Sequence, residues 1–165
     1  MIKAITLVLF AAILLGVLLG LNRQAYPVLA DDLVFQRIDG LQQPFQTFKG
    51  KPLLVTFWSP SCALCMREVD ELNRLYREHQ GDSGFELLAL SMYYDRPDWV
   101  IETSRRMGMR YPVYFDLEKT LSAAFGNVVA TPTTFLLNAD GNVVYRHVGR
   151  LDFSLIEQKL SQLTG

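Results

Sequence analysis

The stretch that most constrains this chain is Leu53-Leu54-Val55-Thr56-Phe57-Trp58-Ser59-Pro60-Ser61-Cys62-Ala63-Leu64-Cys65, which holds the only two cysteines of the 165 residues. Its first six residues are a near-continuous apolar run of strand length, the pattern of a central strand covered on both faces. From about Cys62 to His79 the pattern turns helical. At ~100° per residue, Cys65, Met66, Val69, Leu72, Leu75 and Tyr76 gather on one arc, with Arg67, Asp70, Glu71, Arg74 and Glu78 on the other side. A strand running straight into a helix leaves both cysteines at the helix N-terminus, with Ser61 as the expected N-cap. Unpaired N–H groups and the positive end of the helix dipole there favour a thiolate over a thiol. Cys62 is therefore the candidate nucleophile. Cys65 lies about one turn further on nearly the same face, placed to attack a mixed disulfide at Cys62 and release a reduced partner.

Other uses of such a pair have to be weighed. Structural zinc wants four Cys or His ligands, and the two histidines, His79 and His147, form no second pair. Covalent haem attachment needs Cys-x-x-Cys-His, and residue 66 is Met. An inert buried pair is a further reading, since unpaired cysteines are commonly core residues. Glu68 follows Cys65 by three residues, shares its side of the helix and falls in the flank of the buried arc. It either reaches water from that flank or is a partly buried acid, its pKa raised by desolvation, that exchanges a proton at Cys65.

With 165 residues, half of them hydrophobic, the chain builds one ordinary domain. A net charge of −1 offers no basic surface, so no nucleic-acid partner is expected. Residues 4–21 carry no charged side chain and follow Lys3, a run at the threshold for crossing a membrane. We read residues 1–23 as an N-terminal transmembrane anchor or uncleaved signal, with signal cleavage before Asp31 as the alternative, 24–32 as a tether and 33–165 as the domain. Lys3, against Arg23 followed by Asp31 and Asp32, favours the N-terminus inside and the domain outside. Within the domain we expect a hairpin with arms at 33–38 and 45–48 about Asp39-Gly40, a strand at 85–91 after a loop at 81–84, and a helix at 97–109 with Asp95 as a possible cap. A strand at 111–115, a helix at 117–125, a second hairpin with arms at 133–138 and 143–148, and a helix at 153–163 complete it. This alternation argues for βαβ units on a mostly parallel sheet. Met92-Tyr93-Tyr94 falls at a strand end, where such sheets present their sites.

These residues resemble the thioredoxin superfamily, and within it the membrane-tethered TlpA/ResA-like thiol–disulfide oxidoreductases of bacteria. The resemblance covers about residues 33–163. It rests on Phe48-Lys49-Gly50-Lys51-Pro52 before the strand, Phe57-Trp58 before the turn, Cys62-Ala63-Leu64-Cys65, and Ala130-Thr131-Pro132-Thr133-Thr134-Phe135-Leu136 followed by Asp140-Gly141. It implies a thioredoxin-like α/β fold: a mixed central sheet flanked by helices, with an N-terminal hairpin and a central βα insert between Phe85 and Phe125. It also implies a protein-disulfide reductase that needs no cofactor or metal. Such an enzyme would be a monomer on the bacterial inner membrane, tethered by its single N-terminal helix with the catalytic domain in the periplasm or outside. Its partners would be a disulfide-containing envelope protein, such as one awaiting haem or copper on its cysteines, and a membrane thiol electron donor.

For the site, the resemblance implies a redox-active disulfide Cys62–Cys65, proton transfer by Glu68, and substrate binding by Trp58, Pro60, Thr131 and Pro132. Pro132 would be cis and opposite the cysteines, with Thr131 offering its backbone to a substrate strand. The chain departs from the pattern in three places. Thr56 stands where thioredoxin has a buried aspartate, Ser61 replaces the tryptophan usual before the first cysteine, and Ala63-Leu64 replaces the common x-Pro. Two other functions stay open. A thiol peroxidase of the peroxiredoxin group would need Pro-x-x-x-Thr-x-x-Cys, where this chain has Val55 and Ser59. A copper chaperone would use both thiolates with His147 or a Met as third ligand.

Overall fold

A computed structural model describes residues 26–79 and 84–164, so the anchor expected over 1–23 and most of the 81–84 loop lie outside the described residues. In chain order the elements are β1 (Val34–Arg37), β2 (Gln42–Pro44), β3 (Leu53–Trp58), α1 (Ala63–His79), β4 (Glu86–Ser91), α2 (Pro97–Arg106), β5 (Val113–Phe115), α3 (Thr120–Ala124), β6 (Thr133–Leu137), β7 (Val143–Val148) and α4 (Phe153–Thr164). The strands form one sheet in the order β2-β1-β5-β4-β3-β6-β7. All six residues of β3 are buried, between β4 running parallel and β6 running antiparallel.

The mixed sheet matches the thioredoxin-like expectation, but it is not mostly parallel. Among the described strands only β3–β4 and β4–β5 pair in parallel. The short β1–β2 and β6–β7 connections account for two of the four antiparallel pairs, because a tight turn can only return the chain antiparallel. The turn before β7 is held by the Asn138 carbonyl oxygen Oδ1, which accepts the Asn142 N–H at 2.9 Å.

The alternation of β3 divides the core into two layers. Leu53, Val55 and Phe57 join an aromatic layer with Phe35, Phe45, Phe48, Tyr114, Phe125 and Phe135. Leu54 and Trp58 face the other way, beneath α1 and α4, among Cys65, Leu72, Leu75, Ile156 and Leu160. Thr56 pairs its hydroxyl with that of Thr134 at 3.2 Å, so neutral groups occupy the place where thioredoxin has a carboxylate. Leu29 is buried in the aromatic layer and Tyr26 packs against it, so the expected tether is laid on the domain from Tyr26 onward.

Three local expectations are corrected. The second arm of the first hairpin is Gln42–Pro44, and Phe45–Phe48 is a turn of 3-10 helix. Three residues per turn bring Phe45 and Phe48 to one side, where both are buried, whereas a strand would send residues three apart to opposite faces. The helix expected to 109 ends at Arg106. Gly108 adopts φ +64°, the Met109 N–H reaches the Ser104 carbonyl at 3.0 Å and the Gly108 N–H reaches that of Arg105 at 3.1 Å, a Schellman ending. Asp95 does not cap α2: the N-cap is Arg96, with no side-chain cap bond, and the Asp95 carboxyl is used elsewhere.

Candidate active site

β3 delivers the chain to a loop, 59–62, from which α1 departs. The helix begins at Ala63, and its N-cap is Cys62 instead of the expected Ser61. The Cys62 carbonyl accepts the first helical N–H, from Met66 at 3.1 Å, and its Sγ accepts the Cys65 N–H at 3.1 Å. This is the bond pattern of an N-cap side chain, made by sulfur. When Cys62 carries a thiolate, the same N–H gives a charge-assisted bond that favours the ionised form. Ser61 instead places its hydroxyl 2.9 Å from that of Ser59.

The structure is that of the oxidised protein, with Cys62 and Cys65 joined in a disulfide across a Cα–Cα distance of 5.3 Å. Cys62 is half-buried and Cys65 only 4% exposed, so a partner can reach the first sulfur and not the second. Pro132 follows a cis peptide bond, as the resemblance implied. The antiparallel register sets Phe57 opposite Thr133, so one step further places Pro132 across from Trp58, at the mouth of the loop. Thr131 is half-exposed, and Tyr94, in the turn that follows β4, is exposed. Trp58 and Pro60, expected to bind substrate, are buried. The Trp58 ring lies in the layer that holds Cys65, where it supports the disulfide from below and offers no open face.

Glu68 is 4% exposed, and its Oε1 accepts the Leu151 N–H at 2.7 Å. Burial raises its pKa above the ordinary carboxylate value, opposed by the Leu151 N–H and by the charges of Arg150, His147 and Arg67. It lines a cleft of about 290 Å³ with Leu64, Arg67, Glu71, Arg150 and Phe153, which meets the Cys-x-x-Cys segment at Leu64. Neither this cleft nor a larger one, at Arg37, Tyr76 and Tyr111, is lined by a cysteine. Among the described residues no group of three or more His, Cys, Asp or Glu is arranged to hold a metal ion.

The residue that sequence reasoning missed is Asp95. It is buried at 7% exposure, and Oδ1 accepts a hydrogen bond from the Ser59 hydroxyl at 2.8 Å. Its only local sequence signal, a position just before Pro97, points to helix capping.

Comparison with known proteins agrees with this geometry. The chain matches the AhpC/TSA family over residues 28–146. It is 30% identical over 135 residues to the thiol-disulfide oxidoreductase ResA of Geobacillus thermodenitrificans, covering 81% of this chain and 75% of that one. A putative thiol:disulfide interchange protein DsbE from Chlorobium tepidum superposes with a TM-score of 0.75 at 21% identity, covering 86% and 99% of the two chains. Peroxiredoxin Q of Xanthomonas campestris superposes with a TM-score of 0.70 at 21% identity, covering 84% and 99%. At those identities the two structures attest the fold alone.

Proposed function

The chain belongs to the AhpC/TSA family, within it to the ResA-like thiol–disulfide oxidoreductases, and we propose that it reduces disulfides of bacterial envelope proteins. The observation that carries this reading is the pairing of an accessible Cys62 at the cap of α1 with a buried Cys65. In the reduced protein the Cys62 thiolate attacks a substrate disulfide; one substrate sulfur bonds to Cys62 and the other leaves as a thiolate. Cys65, deprotonated by Glu68, then attacks Cys62, closing the Cys62–Cys65 bond and releasing the second substrate thiol. A substrate strand lies along the backbone at Thr131 and Pro132, while Trp58 and Pro60 act from beneath as supports. Two electrons and two protons return from a membrane thiol donor. The enzyme works as a monomer held to the inner membrane by residues 1–23, on substrates such as proteins awaiting haem or copper.

A peroxidase is the weaker reading on physical grounds. Val55 is fully buried in β3, and the Ser59 hydroxyl, at the place of the peroxidase threonine, is committed to Asp95. Neither can position a peroxide.

Equilibration of the full-length chain in thiol–disulfide buffers tests the proposal. A reversible two-electron couple near or below about −270 mV makes the protein a reductant, and one near about −120 mV makes it an oxidant. Absence of a reversible couple overturns the assignment.

A further inference from the structure

Ser59 is the junction of a small polar network under the active-site loop. Its Oγ lies 2.8 Å from Asp95 Oδ1, 2.9 Å from Ser61 Oγ and 3.3 Å from the Ser61 N–H, while its carbonyl accepts the Cys62 N–H at 3.0 Å. The turn bearing Asp95 is tied to the same strand end, since the Met92 N–H bonds the Trp58 carbonyl at 3.1 Å.

A hydroxyl has one proton and two acceptor sites, so these contacts can be satisfied in two ways. With Asp95 ionised, Ser59 must donate to it and must accept from both the Ser61 N–H and the Ser61 hydroxyl. The Ser61 proton is then turned inward. With Asp95 neutral and its proton on Oδ1, Asp95 donates to Ser59, Ser59 donates to Ser61, and the Ser61 proton is freed from Ser59, on the residue that precedes Cys62. Oδ2 finds no hydrogen-bond partner among the described residues, and an unpaired buried oxygen costs less in the neutral acid than in the carboxylate. One proton at Asp95 thus sets the direction of a hydroxyl on the residue adjoining the nucleophile.

We propose that Asp95 is a positioning residue for Cys62: when ionised, acting through Ser59 and Ser61, it disfavours the Cys62 thiolate and makes the reduced pair a stronger electron donor. The inference rests on the thiol–disulfide reading above. Burial raises the proton affinity of Asp95, opposed by the Ser59 hydrogen bond and the Met92 backbone. Among its neighbours, Tyr94 shares its turn and senses its charge. Arg96 and Asp98 pair with each other at the surface, and Lys119 lies over the Tyr93 ring.

The test is the equilibrium between full-length protein and glutathione, in which the protein disulfide and two glutathiones give the dithiol and glutathione disulfide, measured for wild type, Asp95→Asn and Ser59→Ala. The Asp95→Asn disulfide should be about threefold or more easier to reduce than that of wild type at about pH 9, and the ratio of the two constants should move toward one as pH falls toward about 5. Ser59→Ala, which cuts the path and keeps the acid, should follow Asp95→Asn, and it decides the matter if Asp95→Asn fails to fold. A ratio constant across this range, or a wild-type profile in Ser59→Ala, overturns the proposal. A reversible wild-type couple leaves the oxidoreductase reading standing in either case.

Discussion

Replacing Glu68 by Gln separates the two jobs its position allows. Gln keeps an oxygen where Oε1 accepts the Leu151 N–H at 2.7 Å, so the bond survives as a neutral one, the form it also has in wild type when Glu68 is protonated. The difference between the two proteins therefore depends on pH. Because burial lifts the folded pKa above 4.5, the native state holds more protons than the unfolded chain over a window that opens near that value and closes at the folded one. Stability of the wild type therefore falls as pH rises through the window, by about 1.4 kcal/mol for each unit of displacement. Glu68→Gln removes this slope, so its urea-unfolding free energy should be close to wild type at acid pH, where both side chains are neutral, and above it at neutral pH. Activity should move differently. Without a group to accept the Cys65 proton, the resolving step should slow by about a hundredfold, the lower end of what a positioned base supplies. Rapid-quench trapping of the mixed disulfide after a single turnover reads that step directly. A folded Glu68→Gln protein with an unchanged resolving rate would refute the proton-transfer argument and leave Glu68 as a partner of Leu151 only.

Cys65→Ser should accumulate a substrate mixed disulfide at Cys62 while Cys62→Ser traps none, and equal trapping in denaturing gels would reverse or void the assigned roles. Asn73 donates to the Gly108 carbonyl at 2.9 Å and accepts the Arg110 N–H at 2.8 Å. Asn73→Ala should therefore cost about 2 kcal/mol in urea unfolding, with exchange by the folded variant unaltered. Gly141 adopts φ +86°, and a Cβ there would meet the Phe45 ring and the Lys49 side chain at 3.0 Å. Gly141→Ala should lower stability by about 1–2 kcal/mol, and a neutral result would mean that the β6–β7 turn relaxes freely.

Residues whose role is set by near neighbours were legible in the sequence. The buried run 53–58, the amphipathic arc of α1 and the hairpin about Asp140-Gly141 each carry their period or turn chemistry within a few positions, and each stands as read. The burial of Glu68 belongs to this group, because its spacing from Cys65 places it on the cysteine's side of one helix. Where the reading failed locally, two residue types competed for one position. Ser61 is the better cap by propensity, but the Ser59 hydroxyl engages it, and the helix starts one residue later with sulfur in the cap. Phe45 and Phe48 suit a strand by type, yet burying both on one side requires the three-residue turn.

Asp95 was illegible for a different reason. Its partner Ser59 is 36 residues away, and no pattern inside either segment signals the other. What joins them is the parallel register of β3 and β4, which sets Trp58 level with Ser91. Two strands that end level release their following segments side by side, so loop 59–62 and turn 92–95 must share one surface. Whatever polar group stands in the second segment then acts on the first, although it belongs to no motif around the cysteines. Two buried carboxyls of unlike origin thus bear on the two proposals. Glu68 follows Cys65 along its own helix, while Asp95 reaches the approach to Cys62 across the sheet, so if Asp95 acts as proposed, a potential inferred from Cys62-Ala63-Leu64-Cys65 alone leaves out a group that acts on it.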